Sequence, residues 1–244
     1  GVRVIGGMAS AARGPGGNRL VLDDAIFPTG AVGALLDPEV VSGTVVSQGC
    51  RPVGQAYVVT RATENVIHDL AGIPALDRLR EVVSTLPAED RDLVQHGLHV
   101  GRVIDEQQAD FGRGDFLVRN VMGADPEAGD IAIGDVAEVG ATVQFQVRDA
   151  ASADEDLRAL LEREAKEREA SPPAGALLFT CNGRGTNLFA TPDHDASMVR
   201  RIAGAIPLAG FFAAGEIGPI GARNFLHGYT ASLALFYDRA RGRG

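Results

Sequence analysis

The sequence predicts a mixed α+β fold: mixed or mainly antiparallel sheets, helices on their outer faces, and two related lobes. Three observations carry this. Apolar segments of strand character recur along the whole chain. Helical patterns interrupt them at four places, in no regular alternation. The junctions are long and Gly-rich, and no GxGxxG follows a strand, which argues against a doubly wound Rossmann sheet.

Strands are expected around Val2–Ile5, Gly30–Leu36, Val40–Val46 and Ala56–Thr60, then at Phe116–Val121, Ile131–Ile133 and Ala141–Arg148. Three more lie at Gly175–Thr180, Pro207–Ala213 and Phe225–Tyr237. The run Thr142-Val143-Gln144-Phe145-Gln146-Val147 alternates with the two-residue period of a half-buried strand. Pro74 opens a helix in which Leu76, Leu79, Val82 and Val83 share a face, since proline at a first helical position forfeits no hydrogen bond. Ala88–His96 is a shorter helix. Ser152–Glu169 starts on a capping box, Ser152-Ala153-Asp154-Glu155, and ends before Pro172-Pro173. Leu157, Leu160 and Leu161 make its apolar stripe, and Glu162, Glu164, Lys166 and Glu167 are expected to face water. Asp193–Gly204 reads as the fourth helix, with an acid near its positive end and glycine past its last turn.

Composition removes several classes of function. The 244 residues carry a net charge of −9 with basic residues spread out, so no stripe exists to neutralise nucleic-acid phosphates. No apolar run reaches the ~18 residues that span a bilayer. Two cysteines, Cys50 and Cys181, are too few for a disulfide framework or a zinc site and suit a reducing cytoplasm. His68, His96, His99 and His194 show no metal-ligand spacing, and no cofactor is implied. Aromatics are 5% of residues and Trp is absent, so the core is built from Ala, Val, Leu and Ile. The chain opens on Gly1 and enters an apolar run at once, which reads as a fragment whose natural front is missing. A weak internal echo links Ile5–Asn18 and Leu208–Asn224: each runs from an apolar strand through small residues to Gly-Pro-X-Gly and an Asn.

Chemistry concentrates in "LFTCNGRG", Leu178 to Gly185. Asn182-Gly183 is a tight-turn signal. Thr186-Asn187-Leu188-Phe189 is a poor return strand and leads to Pro192 and a helix, so a loop at a strand end is expected rather than a hairpin. Gly183 and Gly185 let backbone N–H groups approach an anion, and Arg184 offers a planar, bidentate partner for a carboxylate. An exposed turn arginine is the simpler alternative. Glu216 stands alone in the uncharged run "PLAGFFAAGEIGPIG" and needs a partner, either an arginine or a ligand ammonium. Gly215, Gly218 and Gly221 around it suggest irregular backbone. Asn224 and His227 are three residues apart, hence on opposite faces of a regular strand. Cys50 and Arg51 form a second Gly- and Arg-containing strand end resembling the first. Cys181 as a nucleophile would need a base such as His227 or His194, and no hydrolase signature surrounds it.

The segments "SQGCRPVGQAYVVT", "NVIHDLAGIPALDRL", "GALLFTCNGRG", "PDHDASMVRRI" and "PLAGFFAAGEIGPIGARNFLHGYTASLALF" resemble the FIST family along nearly the whole chain. The resemblance implies the tail of a FIST N domain over residues 1–60 and a FIST C domain over 61–244. It also implies an intracellular sensory module that binds small ligands such as amino acids and passes its signal to a downstream protein. In that reading the ligand carboxylate meets Gly183, Arg184 and Gly185, and its ammonium meets Glu216. Cys181, Asn182, Asn224, His227, Cys50 and Arg51 complete the candidate ligand-binding set. A cysteine-dependent hydrolase of a small amide and a protein-binding scaffold are the alternatives; the residues favour binding over catalysis.

Overall fold

Local signals mark the starts of the first three helices, Pro74, Pro87 and Asp149 in turn, and strand pairing decides the rest. The structure, a computed structural model, describes residues 2–37, 40–168 and 172–238. The chain divides into two compact units, one made of residues 1–48 and 154–244 and the other of 49–153. The described residues form a mixed α+β fold.

The first unit opens with β1 (Gly6–Gly7), β2 (Leu20–Leu22), β3 (Ala25–Phe27) and β4 (Val41–Ser47). Val2–Ile5 does not itself form a strand; pairing is confined to Gly6 and Gly7, which lie opposite Ile217 and Glu216. The two echoing passages thus meet in one sheet. Gly30–Leu36, expected as a strand, is exposed and pairs with nothing among the described residues. Apolar character alone does not make a strand without a partner edge.

The second unit holds β5 (Cys50–Pro52), β6 (Tyr57–Thr63), β7 (Val66–Leu70), β8 (Ile73–Pro74), α1 (Ala75–Thr85) and α2 (Ala88–Gly97). It continues with β9 (His99–Val103), β10 (Phe116–Asp125), β11 (Asp130–Ile133) and β12 (Thr142–Arg148). Six strands close a ring in the order β11-β10-β9-β12-β6-β7, with β7 returning to β11. Every pairing in the ring is antiparallel. Inward residues such as Val59, Ile67, Val100, Val143 and Phe145 fill it. The cavity of about 10 Å³ against its wall holds no more than a water, so this ring is a core and not a ligand barrel. β7 and β9 escape sequence reading because His68, Asp69, His99 and Arg102 interrupt their short apolar patterns.

His99 is buried and its Nδ1 lies 2.9 Å from the Gly97 carbonyl oxygen. Burial, with Arg148 nearby, pushes its pKa down to about 4, against a smaller opposing effect of the Gly97 bond. The unfolded chain takes up this proton near pH 6.5 and the folded chain only near 4. Stability present at neutral pH therefore falls as pH drops from 6.5 and levels off below 4. The expected loss is on the order of 2 kcal/mol by about pH 4.5. Urea midpoints at about pH 7 and about pH 4.5 should converge in His99→Gln; an unchanged pH dependence in the variant rules this histidine out as the cause.

The chain then supplies α3 (Ala150–Glu167), β13 (Gly175–Cys181), α4 (His194–Ala203), β14 (Leu208–Ala213), β15 (Glu216–Ile220), β16 (Arg223–His227) and β17 (Ala231–Tyr237). The start of α3 corrects the expected box. Asp149, not Ser152, is the cap: its carboxylate accepts the Ser152 N–H at 2.6 Å and the Ser152 hydroxyl at 2.8 Å. Burial pushes Asp149 up, but the Ser152 bonds and Arg51 together hold its carboxyl below the usual range. Glu169, the expected end of the helix, lies outside the described residues. Glu164 is also corrected, being buried and not water-facing. It accepts from Arg168 Nε at 3.1 Å and from the Tyr237 hydroxyl at 3.2 Å. The expected strand Phe225–Tyr237 is two strands, because the chain turns at Tyr229 with φ of 69°.

Besides the β2–β3 hairpin, two larger sheets build this unit among the described residues. One has the order β14-β13-β17-β4, with β13 and β14 parallel, and the other the order β1-β15-β16. Leu157 and Leu161 of α3 and Met198 and Val199 of α4 pack with Val45, Leu178, Leu233 and Leu235 of the first sheet. Of the glycines around Glu216, Gly215 lies in a bend and Gly221 in a turn with φ of 58°, but Gly218 lies within β15, which pairs in regular register with β16. A Cβ at Gly218 would come within 2.5 Å of Val46 Cγ2 and 2.7 Å of Ser232 Oγ. Gly218 is there so that the two sheets can approach.

Candidate functional site

The β13–α4–β14 segment places the "LFTCNGRG" loop at the carboxyl ends of two parallel strands, where α/β units commonly bind ligands. As expected, no return strand continues from it. The Cys181 carbonyl accepts the Arg184 N–H at 2.8 Å, and a short 3-10 turn at Gly185–Asn187 leads on toward α4. Gly185 has φ of 60° and its carbonyl receives the Leu188 and Phe189 N–H groups at 3.1 and 2.8 Å. That turn swings Arg184 inward.

Arg184 is a buried arm and not a solvent-facing cradle. Its side chain is 0% exposed, and Nε and Nη2 donate to the two Asp195 carboxylate oxygens at 2.7 and 2.8 Å. The Thr180 hydroxyl donates to the same carboxylate at 2.6 Å. Burial pushes Asp195 up, but Arg184 first, then Thr180 and His194, hold its carboxyl below the usual range. His194 Nδ1 lies 3.0 Å from Asp195 and its Nε2 3.0 Å from Asp154 at the start of α3. The Phe189 ring stacks on His194 at 3.5 Å and lies 5.3 Å from the Arg184 guanidinium carbon. Arg184 Nη1 has no hydrogen-bond partner among the described residues.

Beside this network lies a cavity of about 290 Å³. Its polar wall is Thr180, Asp193, His194, Asp195 and Arg200, and its apolar wall comes from Leu178, Leu208 and the β14 residues through Phe212. Because Arg184 balances Asp195, the charges left facing the cavity are Asp193 and Arg200, one of each sign. Both are exposed, and neither forms an ion pair among the described residues. Asp193 adopts a left-handed φ of 55° where α4 starts and makes no side-chain cap, so its carboxylate is left for other partners.

The other expected residues are dispersed. Glu216 is fully buried and accepts the Thr230 N–H and hydroxyl at 3.0 and 2.8 Å. It lies opposite His227, whose Nε2 is 2.9 Å from the Gly218 carbonyl oxygen. Asn224 faces the other side of β16, as its offset predicts, and is exposed. It clamps the amino-terminal segment, accepting the Val4 N–H at 3.0 Å and donating to the Val2 carbonyl at 2.8 Å. The Asn182 carbonyl accepts from Asn187, and the Cys181 sulfur receives the Gly183 N–H at 3.4 Å. Cys50 and Arg51 belong to the second unit. There Arg51 pairs with Asp90 and, at 3.3 Å, with Asp149, while Cys50 packs with Val103, Phe116 and Val118. His194, one candidate base for Cys181, has both ring nitrogens turned to carboxylates. Sequence reading missed Thr180, Asp195 and Arg200 as a group. The one available signal was Asp195 in the first turn of a helix that begins soon after a loop arginine with no local partner.

A FIST C domain model matches residues 75–219, and a FIST N domain model matches residues 1–73. The chain belongs to the FIST family. FIST domains are associated with sensing and signal transduction. The chain is 55% identical over 238 residues to an uncharacterized protein of Mycobacterium tuberculosis (strain ATCC 25618 / H37Rv), covering 98% of this chain and 62% of that protein. It is equally similar to an uncharacterized protein of Mycobacterium bovis, of which it covers 61%. This FIST chain therefore spans about three fifths of the length of the curated relatives it matches. No helix among the described residues is long and apolar enough to cross a membrane.

Proposed function

We propose that this FIST chain is a cytoplasmic sensing module that binds a small amino-acid-like ligand in the cavity beside α4 and signals to a downstream protein. The observation that carries the reading is the cavity itself. It is close to the size of sites for small metabolites, mostly apolar, with a few convergent polar groups. Asp193 and Arg200 offer one charge of each sign, which suits a ligand ammonium and carboxylate. Leu178, Leu208 and Phe212 suit an apolar side chain between them. The Arg184–Asp195 pair serves as the rigid floor of this site rather than as its anion receptor. Arg184 and Glu216, each held by an internal partner, do not act as the two poles of the ligand.

A thermal-shift screen against the common amino acids and small carboxylates tests this. A ligand at about 100 times its Kd stabilises the fold by about 2.7 kcal/mol. Asp193→Asn and Arg200→Gln, both on exposed side chains, should each raise Kd at least about tenfold while leaving the ligand-free melting temperature within a degree or so. No shift with any member of the class, on a sample that melts cooperatively, removes the reading.

A further inference from the structure

The amino-terminal segment carries apolar surface that nothing among the described residues covers. β2 and β3 pair only with each other, turning at Asp23 with φ of 52°. Successive strand residues point to opposite faces, and here both faces are apolar. Val21 and Leu22 on β2 and Ile26 and Phe27 on β3 are all exposed, Ile26 by 64%. Leu35, in the unpaired stretch beyond β3, is 87% exposed, with Leu36 beside it. An isolated two-stranded hairpin is at best marginal in water, and an apolar one with free edges invites a further strand. Contiguous apolar patches of this kind mark interaction sites.

Two observations bear on what covers it. The relatives that align with 98% of this chain have much more polypeptide than the aligned stretch, which is 62% of the length of one and 61% of another. Residues 1–73 match a FIST N domain, yet they form no compact unit of their own: 1–48 join one unit and the rest the other. Asp23 and Asp24 at the hairpin tip oppose an anionic membrane surface as the occupant.

We propose that the β2–β3 hairpin and Leu35–Leu36 are the docking surface for the further polypeptide of the full-length protein, which pairs with a hairpin edge and buries both apolar faces. The occupant is an apolar β-sheet of the same chain that contributes the pairing strand, so the contact is a folded-domain core rather than a transient interface.

The test uses a chimera in which this chain replaces the aligned 238 residues of the M. tuberculosis relative. Amide hydrogen exchange across residues 19–36 is expected to be at least about tenfold slower in the chimera than in the 244-residue chain. Ile26→Asp with Leu35→Asp should restore fast exchange in the chimera while leaving the melting of the shorter chain unchanged. The exposed apolar residues Met122 and Val139 of the other unit supply the control, and Met122→Asp with Val139→Asp should leave the protection intact. Equally fast exchange in both proteins overturns the proposal. So does self-association of the shorter chain that Ile26→Asp abolishes, because the occupant would then be a second copy. Protection lost equally in the control overturns it as well.

Discussion

Arg184→Ala is expected to destabilise the protein by about 3–5 kcal/mol, the range for breaking a buried ion pair from one side. The variant leaves the Asp195 carboxylate buried with only Thr180 and His194 as partners. Arg184→Lys should not restore it, because an ammonium cannot make the two parallel bonds that Nε and Nη2 make. Replacing both partners, as Arg184→Met with Asp195→Leu, should recover much of the loss, since the desolvation cost of each charge disappears with the pair. Urea denaturation at neutral pH measures all three. The pH dependence gives a second reading. Asp195 has its folded pKa held below its unfolded value, so its contribution is complete above the ordinary carboxylate range and is lost as pH falls through and below it. In Arg184→Ala that acid limb should be shallower. A variant as stable as the parent would mean that the loop, not the pair, holds Asp195.

This result would invert what the loop suggests when read as a string of residues. "LFTCNGRG" shows where the arginine sits and that the chain runs on to a helix: Asn182-Gly183 turns it, no return strand continues and Pro192 intervenes. It does not show that a left-handed Gly185 rotates Arg184 into the protein, because its partner is a tertiary neighbour that reads locally as an ordinary helix-start acid. The same limit applies at Glu216. The isolated carboxylate in an apolar run is legible, and so is its need for a partner, but Thr230 supplies that partner across a turn no pattern announces. Pro74, Asp193 and Gly204 mark helix ends because backbone conformation is local: proline fixes its own φ, and Asp193 and Gly204 take positive φ where α4 starts and stops. β7 and β9 stay hidden because closing a ring depends on partners far along the chain. Gly30–Leu36 shows the converse: an apolar run whose partner is not within the described residues forms no strand.

Gly210→Ala should be the second severe lesion, and it tests the site and the fold together. Gly210 has φ of 153°, in the region that disfavours side chains. A Cβ there would overlap the Leu178 carbonyl oxygen and come within 2.7 Å of its carbon and 3.0 Å of the Leu178 nitrogen. These are backbone atoms of the neighbouring parallel strand, so no rotamer change relieves the clash, and β14 must move away from β13. Strain and overpacking together imply a loss of at least about 3 kcal/mol. Gly221 supplies the comparison: its φ is 58° but a Cβ there meets nothing within 4 Å. Gly221→Ala should therefore cost only about 1 kcal/mol. The difference between the two substitutions isolates the β13–β14 contact from the glycine effect itself. Leu178, Thr180, Gly210 and Phe212 all line the cavity, so displacing β14 alters its wall at the same time. Where Gly210→Ala remains folded at low temperature, ligand-induced stabilisation should vanish with it, whereas Gly221→Ala should keep the full shift. Equal costs for the two substitutions would show that the strands tolerate separation, and the cavity would then be too plastic to select a ligand by shape.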